Sequence, residues 1–171
     1  MERQDLIVGN WKMNANHLEA IQMVQKLSYR LEKGDTERVE VVVAPPFTAL
    51  RSVQTVIEAD RLPIRLGAQN CDWRESGAYT GEISAPMLAK LGVGHVIVGH
   101  SERRAHFGET DQTVNQRAKA VLASGMHPVV CVGETLDQRE AEETEQVVVA
   151  QVTAGLAGLP GEQIAGTAVA Y

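Results

Sequence analysis

Short runs of apolar, often β-branched residues recur along this 171-residue chain, and segments with helical spacing separate them. The runs lie near residues 6, 39, 64, 95, 127 and 166. Continuously apolar runs of this length are typical of strands buried on both faces, and their alternation with helices predicts βαβ units. The pattern therefore predicts an α/β fold with a parallel sheet.

The spacing of the strands distinguishes two parallel architectures. The strands recur about every 32 residues, so eight units would need roughly 256 residues, close to the size of an eight-stranded β/α barrel. An open doubly wound sheet would be favoured by a Gly-x-Gly-x-x-Gly motif after the first strand, and no such motif follows it. We therefore predict one domain over residues 1–171, with five βα units of the (β/α)8 barrel and a sixth strand.

Local signals predict where the helices begin and end. Asn16 and Glu19 have the spacing of a capping box, and the helix that they begin is expected to stop at Gly34. A long helix is expected from Asp137 until Pro160 breaks it.

Composition limits the class of partner. The net charge of −6 argues against a nucleic-acid partner, and no apolar stretch reaches the length of a membrane-spanning helix. The charged N-terminus leads directly into a strand and does not resemble a signal peptide. Cys71 and Cys131 lack the spacing of metal ligands, so no metal is expected. A disulfide stays open, although a reduced cytoplasmic protein is the simpler interpretation.

A histidine follows the most apolar of the predicted strands. Residues 96–98 are Val-Ile-Val, Gly99 permits a tight turn, and His100 then stands at the carboxyl end of the strand. Ligands of parallel α/β proteins bind at that end, and histidine is the commonest acid or base near neutral pH. A catalytic and a structural role are both open for His100. Ser101 is expected to cap the helical turn that follows.

Other polar residues stand at comparable positions. Asn10 and Lys12 follow the first strand, although taken alone they read as a turn residue and a surface charge. The polar segment 69–82 is long enough to suggest a functional loop. Glu134 follows the fifth strand, where an ion pair is favoured over a catalytic role.

Five motifs in chain order resemble the triosephosphate isomerase family. They are Gly-Asn-Trp-Lys-Met-Asn at residues 9–14, Gly-Ala-Tyr-Thr-Gly-Glu-Ile-Ser at 77–84, Val-Gly-His-Ser-Glu-Arg-Arg at 98–104, Cys-Val-Gly-Glu at 131–134 and Ala-Tyr at 170–171. The resemblance implies interconversion of dihydroxyacetone phosphate and glyceraldehyde 3-phosphate through an enediolate, in glycolysis and gluconeogenesis.

The resemblance also implies a role for individual residues. Lys12 would stabilise the substrate phosphate and the enediolate oxygen, and Asn10 would bind substrate oxygens. His100 would polarise the carbonyl as a neutral electrophile, which is this family's own well-known case of a tuned histidine. Glu102 would be a supporting carboxylate near Lys12, and Thr80 would reach toward a partner's site. A cytoplasmic homodimer docked through residues 71–82, with no metal and no organic cofactor, is expected.

The sequence departs from the family pattern at one position. The family's general base is a glutamate directly after the Ala-Tyr of its sixth strand, and here Tyr171 is the last residue given. Two interpretations stay open. Either the 171 residues are part of a longer isomerase, or they are a catalytically inactive partial barrel that binds weakly or self-associates through open strand edges.

Overall fold

The computed structural model describes residues 4–171, with only the backbone described at Lys33. The charged start of the chain, residues 1–3, lies outside the described residues. The elements in order are β1 (Asp5–Asn10), α1 (His17–Ser28), α2 (Lys33–Arg38), β2 (Val39–Ala44), α3 (Phe47–Ala59), β3 (Arg65–Ala68), α4 (Ala85–Lys90), β4 (His95–Val98), α5 (Ser101–Phe107), α6 (Asp111–Ala123), β5 (His127–Cys131), α7 (Leu136–Glu140), α8 (Thr144–Gly155), α9 (Gly161–Ala165) and β6 (Ala168–Ala170).

The chain divides into two compact units. The described part of the first unit is residues 4–69 together with Met87–Val96, and the second unit is Asn70–Pro86 together with Ile97–Tyr171. The strand β4 contributes its first two residues to the first unit and its last two to the second.

The first unit is built on parallel strands that are neighbours in the chain. β1 pairs with β2 along its whole length, with Asn10 opposite Ala44, and β2 pairs in turn with β3. Gly67 in β3 lies opposite His95, so β3 pairs with β4. A Cβ atom at Gly67 would lie 2.8 Å from Cγ1 of Val42, so glycine permits this close packing. The parallel pairing confirms the predicted α/β class.

Helix boundaries in the first unit were predicted in part. The capping box is present, because the Asn16 side chain accepts from the amide of Glu19 and the Glu19 side chain accepts from that of Asn16. The expected stop at Gly34 is wrong, since α1 ends at Ser28 and Gly34 lies inside the separate helix α2. The polar sequence of α2 carries no apolar periodicity, so the pattern gave no sign of it.

The second unit is organised around the parallel pair β5 and β6. Val129 lies opposite Ala168, and Cys131 lies opposite Ala170. Helix α6 packs on β5 and on α8. Its apolar face buries residues that the helical spacing predicted, namely Val114, Ala118 and Val121.

The expected long helix from Asp137 is wrong. The chain forms α7 over Leu136–Glu140, breaks, and then forms α8 over Thr144–Gly155. At the break Glu142 adopts a left-handed conformation with φ of 60°. A side-chain cap from Thr135 begins α7 one residue before the expected start. Across residues 4–171 no helix has both the length and the apolar character needed to cross a membrane.

Candidate functional site

The end of β1 holds Asn10 and Lys12 together through the backbone. Oδ1 of Asn10, the last residue of β1, accepts from the backbone amide of Lys12 at 3.0 Å. Nε2 of Gln69 donates to the carbonyl oxygens of Lys12 and Ala44, both at 2.8 Å. The amide and the carbonyl of Lys12 are therefore both held by side chains, while its own side chain is exposed.

The backbone of Lys12 is in the left-handed region, with φ of 53°. This conformation costs a non-glycine residue about 1–2 kcal/mol, because Cβ approaches the following carbonyl oxygen. The hydrogen bonds from Asn10 and Gln69 offset that cost. A lysine whose backbone is held in a strained conformation is a stronger functional candidate than an ordinary surface charge.

The end of β4 turns through a glycine that no other residue can replace easily. Gly99 has φ of 70°, and a Cβ atom there would lie 2.6 Å from Cγ2 of Val114. Left-handed geometry and close packing therefore both require glycine at this point. The turn at Gly99 directs the chain from β4 into α5 and places His100 at the junction.

His100 itself is the N-cap of α5, and the expectation that Ser101 would cap this turn is wrong. Nδ1 of His100 accepts from the backbone amide of Glu102 at 3.2 Å. A ring nitrogen that accepts carries no proton, so this bond selects the neutral tautomer with its proton on Nε2. The side chain is 21% exposed and Oε2 of Glu102 lies 3.4 Å from Nδ1. The neutral ring therefore offers Nε2–H as a hydrogen-bond donor.

A buried ionic network that the sequence did not reveal lies in the same unit. The carboxylate of Glu109, only 2% exposed, pairs with the guanidinium groups of Arg103 and Arg117. Nε of Arg117 donates to the carbonyl oxygen of Cys71 at 2.8 Å. The network thus joins α5 and α6 to the start of the segment 71–82. No sequence spacing predicts this, because the partners are separated by up to 46 residues.

Stacked side chains order the loop that contains Thr80. The guanidinium of Arg74 lies over the rings of Trp73 and Tyr79, 4.4 Å and 3.8 Å from their centroids. The backbone amide of Arg74 also donates to Oδ1 of Asp72 at 2.8 Å. Thr80 follows this stack and is exposed. The loop is therefore preformed and presents Thr80 at the surface.

Glu134 makes the ion pair that the sequence favoured. Its Oε1 lies 3.2 Å from Nε of Arg139 and accepts from the hydroxyls of Tyr171, at 3.0 Å, and Thr144, at 3.2 Å. Its own backbone amide is the largest influence that lowers the pKa of this carboxyl, and these side-chain partners lower it further against the opposing effect of burial. A carboxylate held in this way is a structural anion rather than a proton acceptor.

Both cysteines are free thiols that burial makes unreactive. Burial raises the pKa of Cys71 to about 12 and that of Cys131 to about 11. The thiolate is the nucleophilic form, so neither side chain is a candidate nucleophile.

The predicted site residues thus fall into local groups. The structure brings Asn10 against Lys12 in the first unit, and His100 against Glu102 in the second. Thr80 lies in the stacked loop of the second unit. The sequence indicated all five positions, and it missed Glu109 and Arg117.

The fold is a parallel α/β architecture whose polar candidates follow the carboxyl ends of strands, the arrangement of α/β enzymes. The family model described as triosephosphate isomerase matches residues 5–171. The triosephosphate isomerase of Saccharopolyspora erythraea is 55% identical over the whole chain, and that of Corynebacterium efficiens is 54% identical. The crystal structure of triosephosphate isomerase from Bartonella henselae matches 99% of this chain and 68% of its own, with a TM-score of 0.88 at 32% identity. The chain belongs to the triosephosphate isomerase family.

These relatives also confirm the predicted barrel-family fold. The chain spans 66% of the length of the Saccharopolyspora relative and 65% of the Corynebacterium relative.

Proposed function

We propose that the protein to which this chain belongs interconverts dihydroxyacetone phosphate and glyceraldehyde 3-phosphate through an enediolate. The observation that carries the proposal is the cap made by His100. Its Nδ1 accepts from the amide of Glu102, so the neutral ring offers a proton at Nε2. A neutral donor of this kind can polarise a carbonyl oxygen without first losing a proton.

The chemistry needs negative charge to be stabilised where it develops. When a base removes a proton from the carbon next to the carbonyl, the electron pair moves to the carbonyl oxygen and an enediolate forms. We assign the Nε2–H of His100 as the donor to that oxygen and the ammonium of Lys12 as the stabilising charge. Asn10 would bind substrate oxygens, and it already holds the amide of Lys12 at 3.0 Å. Glu102 is assigned a supporting role through its contact with His100.

The base is assigned to no residue of this chain. In the family the base directly follows the Ala-Tyr pair that matches Ala170 and Tyr171, and a positioned base contributes typically 10²–10⁴-fold. We therefore propose that the 171-residue polypeptide alone binds phosphorylated ligands weakly and has no isomerase turnover. A coupled assay on the polypeptide, purified from a host without its own isomerase, tests this. Turnover near that of a complete relative would contradict it.

The isomerase proposal is tested by extending the chain. The extension is the part of the Saccharopolyspora relative that follows the position of Tyr171, and the product is assayed in both directions. We expect turnover that falls by about 10²–10³-fold in Lys12→Met, the range for the loss of one group that stabilises an oxyanion. Lys26→Met is the matched control, because Lys26 is an exposed lysine on α1 of the same unit. Turnover that is absent in a folded product, or indifferent to Lys12, would overturn the proposal.

We further propose that the complete protein is a cytoplasmic homodimer that docks through residues 71–82. The stacked loop supports this, because Arg74 holds Trp73 and Tyr79 in place before any partner arrives. Sedimentation of the extended protein should give a dimer, and Arg74→Ala should weaken it. Full activity in a protein that stays monomeric at the assay concentration would count against the dimer.

A further inference from the structure

Arg104 links the end of β4 to two other elements of the second unit. Its Nε donates to the carbonyl oxygen of Gly99 at 2.9 Å, and its Nη2 donates to the carbonyl oxygen of Cys131, the last residue of β5, at 3.3 Å. Its Nη1 donates to Oδ1 of Asp111, the first residue of α6, at 2.6 Å. The side chain is only 17% exposed, so these bonds are largely shielded from water.

The first of these bonds bears directly on His100. The carbonyl of Gly99 belongs to the peptide that joins Gly99 to His100, so Arg104 fixes the plane of that peptide. The peptide sets the starting direction of the His100 side chain, whose Nδ1 must meet the amide of Glu102 at 3.2 Å. A guanidinium that is itself held by Cys131 and Asp111 cannot follow the peptide if the peptide rotates.

We propose that Arg104 is a positioning residue for His100. It acts through the Gly99 carbonyl, and it keeps Nδ1 of His100 on the Glu102 amide so that Nε2 carries the ring proton. This inference rests on the function proposed for His100. The shape of the side chain matters as much as its charge, because a planar guanidinium serves three acceptors in fixed directions whereas a lysine ammonium is a single point donor.

A purely structural role would have a different signature. If Arg104 only tied β4, β5 and α6 together, its loss would destabilise the second unit as a whole. All protected amides of the unit would then exchange faster by a similar factor. If Arg104 positions His100, the change is concentrated at the amide that His100 caps.

The test measures amide hydrogen exchange by NMR on the 171-residue chain. The reporter is the amide of Glu102, and the reference is the amide of Gln138, which Thr135 caps at 3.3 Å in the same unit. In Arg104→Met we expect Glu102 exchange to rise about tenfold over that of Gln138, the effect of losing one capping hydrogen bond. Arg104→Lys should give a smaller rise, because one ammonium serves fewer acceptors at a time.

Nitrogen-15 spectra of the histidine rings give a second readout. The Nδ1 signal of His100 should move in Arg104→Met as the cap is lost. His127 is the internal reference, since its Nδ1 lies 3.0 Å from the carbonyl oxygen of Gly166 and therefore donates. Arg139→Met is the matched control, because this arginine of the same unit contacts Glu134 and Tyr171. It should leave the Glu102 amide and the His100 ring unchanged.

The outcomes separate clearly. A Glu102 amide and a His100 signal that stay unchanged in folded Arg104→Met would overturn the proposal, as would equal acceleration of Glu102 and Gln138 in both Arg104 variants. If Arg104→Met does not fold, Arg104→Lys and Asp111→Asn decide by the same comparison. None of these readouts uses turnover. A failed isomerase assay would therefore leave this result standing, and a failed positioning test would leave the isomerase proposal untouched.

Discussion

The ends of β1 and β4 solve the same problem in opposite ways. At the end of β1 the residue in the left-handed conformation is Lys12, the candidate functional residue itself, and neighbouring side chains hold its backbone. At the end of β4 the left-handed residue is Gly99, and the candidate His100 follows it with an unstrained extended backbone. In the first case the functional residue bears the strain, and in the second a glycine removes it.

The difference explains how each side chain is used. The ring of His100 must point one nitrogen at the amide of Glu102, so its backbone has to be relaxed and its direction fixed. An ammonium group has no face to orient, and Lys12 can tolerate a strained backbone as long as Asn10 and Gln69 hold it. A planar group thus needs an exact approach, while a point charge needs only a fixed base.

The largest expected effect separates close packing from left-handed geometry at Gly99. Gly99→Ala should lower the free energy of unfolding by about 2–5 kcal/mol, since the left-handed cost adds to overpacking against Val114. Gly108→Ala is the matched control at the other end of α5, where φ is 67° and no atom lies within 4 Å of the added Cβ. It should cost only about 1–2 kcal/mol in urea unfolding. Equal costs at the two positions would show that Val114 yields freely.

The thiol of Cys131 reports on the charge of Arg104 at the β4 end. Burial raises the pKa of Cys131 from 9.0 to about 11, and the guanidinium of Arg104 opposes that rise. Iodoacetamide should therefore alkylate Cys131 about 100-fold more slowly at pH 9 in the folded chain than in urea. Removal of the charge in Arg104→Met should slow alkylation further. Faster alkylation in that variant would mean that the strand end has opened instead.

The same shift has a consequence for stability at alkaline pH. Between about pH 9 and 11 the Cys131 thiol keeps its proton when folded and loses it when unfolded. The unfolded state then binds fewer protons, so the free energy of unfolding should fall as pH rises through that range. Cys71 extends the fall to about pH 12. A titration of urea midpoints that is flat above pH 9 would contradict these shifts.

A smaller effect tests whether His100 acts as a cap. His100→Ala removes the acceptor for the Glu102 amide and should cost about 1 kcal/mol in unfolding experiments. His100→Asn should cost much less, because asparagine is among the best N-cap residues. In the extended protein both changes should nevertheless reduce turnover strongly, since neither supplies Nε2–H. Equal stability losses for the two variants would argue that the cap contributes nothing.

The smallest effect concerns the strain at Lys12. Lys12→Gly should raise the free energy of unfolding by up to about 1 kcal/mol, because the left-handed cost of about 1–2 kcal/mol is partly offset by the entropy of glycine. Lys26→Gly is the control in the middle part of a helix, and there glycine should destabilise. If Lys12→Gly destabilises as well, the backbone at this position is not strained.

The sequence predicted the parallel strands and the local caps correctly where the signal is local. β2 and β4 have the predicted bounds, and the capping box of Asn16 and Glu19 is present. Gly34 misled because glycine usually ends a helix, whereas α1 had already ended and α2 begins at Lys33. The break at Glu142 has no glycine or proline to mark it.

The site was predictable by position but not by contact. The strand ends and the family motifs pointed to Lys12 and His100, and both stand where the sequence indicated. The cap that His100 makes was missed because histidine is a rare N-cap, and Ser101 looked better suited. The bond from Arg104 to the Cys131 carbonyl spans 27 residues, and no spacing rule reaches that far.

The close approach of Val114 to Gly99 also governs the order in which substitutions can accumulate. A Cβ at position 99 would meet both Cγ atoms of Val114, at 2.6 and 3.0 Å. Alanine at 99 should therefore be much less harmful in a chain that already carries Val114→Ala, where only the left-handed cost is left. The two positions form an epistatic pair, so a lineage can leave glycine at the β4 end only after the helix that covers it has become smaller.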